Sequence, residues 1–120
     1  MFVNRSDQLP ILGLALGNAE RVAIDTETPI DGPMKGQMRV MSVATRSTSG
    51  EEQAFVIDRR DLDPTLLAPL LEGVTADAWN ANFDARVVDL AVWRSTDTTP
   101  GLRWWDAQLA DALIFRDVAA

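Results

Sequence analysis

The chain reads as a single α/β domain built on a mixed sheet. Three observations predict this. Short segments with strand character alternate with segments of helical period, in the order β-α-β-β-β-α-β-α-α. A hairpin-type loop interrupts the run of strands, so part of the sheet is antiparallel. At 120 residues and 47% hydrophobic, the chain has enough apolar content for one core and no more than one domain. No internal repeat or low-complexity tract disturbs the pattern.

Phe2-Val3 is a short strand. Ser6 is a good helix cap, with Asp7 and Gln8 favourable in the first turn. Pro10 lies in that turn, where its missing N–H does little harm. Leu9, Leu12 and Leu16 then follow at helical spacing until Gly17-Asn18. Arg21 to Thr26 is a strong strand. Pro29-Ile-Asp-Gly-Pro33 is a turn-rich loop. Met38 to Thr45 and Gln53 to Asp58 are strands joined through Ser47-Thr-Ser-Gly50. Asp63-Pro64 opens a helix whose apolar stripe is Leu66, Leu67, Leu70 and Leu71, ended by Gly73. Ala76 to Asn80 is a short strand. Phe83 to Trp93 is a helix with Val87, Val88 and Ala91 on one face, and Thr96 to Gly101 is a polar loop. Trp104 to Phe115 reads as a last helix, apolar at Leu109, Ala112 and Leu113.

Composition narrows the chemistry. There is no cysteine, histidine or tyrosine. Disulfides, thiolate metal sites, a Cys nucleophile and an imidazole base are excluded. What remains is carboxylate, amide, hydroxyl and arginine, and hard oxygen ligands favour Mg²⁺ or Mn²⁺ over zinc. Acids outnumber bases by 18 to 11, for a net charge of −7, so the surface as a whole cannot grip nucleic acid electrostatically. A local site that recruits phosphate through a metal stays open. Nothing resembles a signal peptide or a membrane span, and a cytoplasmic location follows as the default.

Two motifs carry chemistry. Val22-Ala-Ile-Asp-Thr-Glu-Thr-Pro29 is an apolar strand ending in Asp25 and Glu27. Their i, i+2 spacing points both acids to one side. Ionised acids at the end of a core strand need a partner, and a divalent cation is the simplest one. Trp79-Asn-Ala-Asn-Phe-Asp84 lies at a strand-to-helix junction. Asp84 leads the series Asp84, Val87, Val88, Ala91 along one helical face. Taken alone, Asp84 reads as an ordinary helix cap and Asn80 as a turn residue.

The ordered set, Asp-Thr-Glu-Thr and then Asn-x-x-Phe-Asp, resembles the DEDD superfamily of 3′–5′ exonucleases. The proofreading domains of family A DNA polymerases and ribonuclease D are its nearest types. Gly101-Leu-Arg-Trp-Trp-Asp-Ala-Gln-Leu-Ala-Asp-Ala-Leu113 is similar to the segment that follows motif two there, where an aspartate, here Asp106, begins a helix. The resemblance covers nearly the whole chain and implies a ribonuclease H-like fold. It implies that Asp25, Glu27 and Asp84 are the catalytic carboxylates and hold two divalent cations, Mg²⁺ or Mn²⁺. It places Thr28, Asn80 and Phe83 against the terminal nucleotide of a nucleic acid 3′ end. Single-stranded DNA is favoured there over RNA, in proofreading or repair.

The chain departs from that family in one respect. The third motif, Tyr-x-x-x-Asp or His-x-x-x-x-Asp, is absent, since neither residue type occurs. Asp111 and Asp117 are poor substitutes and read as solvated helix charges. Residues 1–120 therefore read as the N-terminal portion of an exonuclease domain, the rest of the fold lying in a missing segment, a polymerase domain or a separate polypeptide. Weak or absent activity is expected of these residues alone. The alternative is a catalytically inactive ribonuclease H-like module that binds nucleic acid or a protein partner. A third reading makes the acids incidental helix caps, but it leaves their shared spacing unexplained.

Overall fold

The structure is a computed structural model that describes residues 1–29, 37–93 and 100–116, with side chains of the last stretch as far as 114. Its strands are β1 (Phe2–Val3), β2 (Ala19–Glu27), β3 (Val40–Ser47), β4 (Glu52–Asp58), β5 (Thr75–Ala78) and β6 (Arg103–Asp106). Its helices are α1 (Leu9–Gly17), α2 (Ala68–Leu71), α3 (Ala81–Val92) and α4 (Ala107–Asp111). Turns of 3₁₀ helix lead into α1 (Ser6–Gln8) and α2 (Pro64–Leu67), and α4 widens into a π turn over Ala112–Arg116. No helix among the described residues is long and apolar enough to cross a membrane.

The strands form one mixed sheet in the order β1-β4-β3-β2-β5-β6. β2, β3 and β4 are an antiparallel meander, while β1, β5 and β6 join parallel to their neighbours. The meander turns at Ser47–Gly50, where Gly50 takes φ 88° and its N–H reaches the Ser47 carbonyl at 2.9 Å. Only glycine adopts that conformation without strain.

Alternation along the strands sorts the two faces. Val22, Ile24, Met41, Val43, Phe55, Ile57 and Ala76 point to one side and meet Leu12, Leu16, Leu67, Leu71, Val87, Val88, Val92 and Trp93 from the helices. That layer is the core. The other face is open. Ala54, Ala44 and Ala23 stand side by side in register across it, and Asp77 and Trp105 continue the row. All of these are exposed except Asp77, which is half-buried.

Several local expectations change. The expected helix over Trp104 to Phe115 begins later, because Arg103–Asp106 pairs with β5 as a strand. Aromatic residues suit a strand when a neighbour offers an edge. Trp104 then faces the core side and Trp105 the open face. Ser6 is not the cap of the first helical turn. The Gln8 Oε1 instead accepts the N–H groups of Asn4 at 2.9 Å and Arg5 at 3.1 Å. Leu66 is exposed, leaving Leu67 and Leu71 as the buried stripe of their helix. Asp63 does cap, its Oδ1 accepting the Thr65 N–H at 3.0 Å. Most of the Pro29–Pro33 loop and of the Thr96–Gly101 loop lies outside the described residues.

The two faces predict different tolerance. Met41→Ala, at a fully buried position, is expected to lower unfolding free energy by about 2–5 kcal/mol. Ala44→Thr on the open face is expected to stay within roughly 0.5 kcal/mol of the parent. Urea denaturation of both variants checks the pair.

Candidate active site

β2 is nine residues long and β5 only four. Their parallel pairing covers Val22↔Ala76 and Ala23↔Asp77. Beyond that point β2 runs on with no strand on that edge. The Thr26 N–H would go unpaired there, and buried backbone donors seldom do. Asp84 fills the gap. Its Oδ1 accepts the Thr26 N–H at 3.0 Å and the Thr26 hydroxyl at 2.6 Å. Both residues are buried, Asp84 to 2% exposure. Both bonds go to one oxygen, so Oδ2 is left outside the pairing.

This bond joins the two sequence motifs. Thr26 lies between Asp25 and Glu27, and those two side chains point to the open face, exposed, as period two requires. Neither makes a side-chain hydrogen bond or ion pair among the described residues. The Asp84 carboxylate approaches the same strand end at its edge, from the core side. Thr28 follows β2 and is half-buried. Phe83 is exposed in the first turn of α3, and Asn80 is exposed just before it.

Asn80 takes φ 59° and ψ 62°, the one positive φ outside glycine among the described residues. Its side chain does not cap α3. The acceptor comes from Asp106, which stands opposite Ala78 in the β5–β6 register. Asp106 Oδ1 accepts the N–H of Asn80 at 3.2 Å, and Oδ2 accepts that of Ala81 at 3.1 Å. The same Oδ1 accepts the Gln108 and Leu109 N–H groups at 2.9 and 3.1 Å, capping α4. The Leu109 amide, then those of Ala81, Gln108 and Asn80, hold the Asp106 carboxyl below the usual aspartate range.

Thr26 and the double role of Asp106 were not visible in the sequence. A buried threonine between two acids gives no local signal. The Asp106 partners on α3 lie 25 and 26 residues away. Other side chains are placed plainly. Arg60 closes on the buried Asp58 at 2.6 Å. Trp93 is core. Asp111 is half-buried on α4, and Asp117 lies outside the described residues.

The donor set is oxygen only, which suits a hard divalent cation. Asp25 and Glu27 fit such an ion, being unpaired and turned to one side. Asp84 fits less directly, since Thr26 holds one of its oxygens. Among the described residues, no three acidic side chains gather closely enough to form a ready metal cluster.

No protein-family model and no curated protein matches the chain. Solved structures do. The EXO domain of Aedes aegypti Nibbler superposes with a TM-score of 0.67 at 19% identity, over 96% of this chain and 56% of that one. Trypanosoma brucei RNase D in complex with GMP gives 0.70 at 16% identity, over 92% of this chain and 33% of that one. The same enzyme in complex with RNA U12 gives 0.62 at 16% identity, over 85% and 36%. The fold is therefore the ribonuclease H-like fold of these exonuclease structures, and the chain spans a little over half of one and about a third of the other.

Acid stability follows from the capped and paired carboxylates. Arg60 holds the Asp58 carboxyl below its ordinary value, against the opposing effect of burial, and the Thr65 amide does the same for Asp63. A lowered folded value means the stabilisation is complete above the unfolded value of about 3.9 and is lost as pH falls through the folded value. Asp89 has the opposite sign. Burial raises it, and its Oδ1 lacks a hydrogen-bond partner among the described residues, so its cost appears as pH rises through the folded value. Asp58→Asn is expected to flatten the acid limb of thermal melts, and Asp89→Asn to raise the melting temperature at pH 7 but not at pH 3.

Proposed function

We propose that these 120 residues are the N-terminal portion of a metal-dependent 3′–5′ exonuclease domain acting on single-stranded nucleic acid. The observation that carries this is the Asp84–Thr26 bond, which brings motif two to the strand end bearing Asp25 and Glu27. Asp25 and Glu27 would hold the divalent cations, Mg²⁺ or Mn²⁺, with Asp84 joining through water. When bound, the cations supply neutralisation of the phosphate and activation of the attacking water. The protein's own part is positioning, because phosphoryl chemistry needs placement and electrostatics more than a side-chain nucleophile.

Thr28, Asn80 and Phe83 surround the terminal nucleotide in this reading. Phe83 is 47% exposed at the start of α3, which suits a ring that stacks on an unpaired base. The motifs alone favour DNA and a proofreading or repair role. One superposed structure holds RNA U12, and we take RNA as the substrate. Completion of the site requires a further carboxylate, from a continuing domain or a separate polypeptide, so turnover by residues 1–120 is expected to be weak.

The second reading, an inactive module that binds nucleic acid or a partner protein, draws on the absence of a third-motif tyrosine or histidine. Calorimetry with Mn²⁺ separates the two. The nuclease reading expects binding that Asp25→Ala abolishes; a chain that takes up no Mn²⁺ supports the inactive module. In a gel assay with 3′-extended RNA and DNA oligonucleotides and Mn²⁺, stepwise 3′ shortening is expected, faster on RNA. Shortening that survives Asp25→Ala would falsify the assignment.

A further inference from the structure

We propose that Asp106 is a positioning residue for motif two: one carboxylate from β6 sets the start of α3, and through it the seat of Asp84 against β2. Its bearing on catalysis rests on the nuclease reading above; its bearing on structure does not.

Helix α3 begins without a side-chain cap from Asn80. Asn80 stands at the cap position in a left-handed conformation and offers no side-chain acceptor. The first N–H groups of a helix need partners from elsewhere. Asp106 supplies two acceptors there, one oxygen to Asn80 and the other to Ala81, while the Phe83 N–H reaches the Asn80 carbonyl at 3.1 Å. The left-handed turn costs a non-glycine residue energy and persists only where its surroundings hold it. Asp106 is that hold, because it binds the peptide groups on both sides of the Asn80 Cα.

The next link is short. Asp84 follows Ala81 by three residues, less than one turn of helix. A rotation or slide of the α3 start moves the Asp84 carboxylate by a comparable amount. Hydrogen bonds at 3.0 and 2.6 Å to Thr26 tolerate little of that. Asp106 also caps α4 through Gln108 and Leu109. The carboxylate is thus fixed by its own helix before it reaches for α3, so it acts as a rigid bracket and not as a loose surface charge.

Two variants separate bracket from cap. Asp106→Ser keeps an accepting oxygen suited to a helix cap, so α4 retains its start, but the hydroxyl is too short to reach α3. Asp106→Asn keeps the side-chain size with one accepting oxygen and serves where the serine variant fails to fold. Asp63→Asn removes part of an unrelated cap and controls for general loosening. The readout is amide hydrogen exchange, which reports local opening. In Asp106→Ser, and more weakly in Asp106→Asn, exchange at Asn80, Ala81 and Thr26 is expected to rise about tenfold over Asp63→Asn, with Gln108 and Leu109 unchanged in the serine variant. Thr26 exchange that stays at the control level in both variants overturns the proposal. The Thr26 amide reads position without any metal or substrate. A failure of Mn²⁺ binding in the parent chain would therefore count against the nuclease reading alone.

Discussion

The bond between Asp84 and Thr26 is the constraint on which the site depends. A carboxylate at 2% exposure must be satisfied or it is costly to bury. Here a backbone N–H and a hydroxyl satisfy it from one residue. The arrangement exists because β5 stops early. A longer β5 would pair with the edge of β2 and shut Asp84 out. The early stop of β5, the left-handed Asn80 and the early start of α3 are one solution to one geometric demand, that α3 reach the end of β2.

Much of this was legible because it follows local period. The placement of Asp25 and Glu27 on one side of the apolar strand Val22 to Thr26 is visible in the residue pattern. So is the stripe of Asp84, Val87 and Val88 on α3. What escaped is tertiary. Trp104 and Trp105 fit a helix or a strand equally well in so short a segment, and only the free edge of β5 decides between them. The cap of the first helical turn came from Gln8, whose side chain reaches back to two backbone N–H groups, although Ser6 looked better placed. Asp106 was recognisable as a helix start, but its grip on α3 depends on strand register.

Charge distribution fits a site that works at short range. Arg21 pairs with Asp77 at 2.7 Å, Arg60 with Asp58 at 2.6 Å, and Arg5 with Asp7 at 3.1 Å. These cations are neutralised beside the surface they occupy, and the chain as a whole carries −7. A polyanion gains nothing from such a field at a distance. Under the proposed nuclease reading, attraction would arise at the Asp25 and Glu27 end of β2, whose carboxylates make no side-chain hydrogen bond or ion pair among the described residues.

The row of Ala54, Ala44 and Ala23 has a consequence of its own. Methyl groups are the lowest relief an L-residue allows, so this strip is nearly bare peptide. Any layer laid across it would sit unusually low, and side chains taller than a methyl would jack that layer off its bed. Positions that look indifferent while uncovered would then become the least forgiving on the molecule.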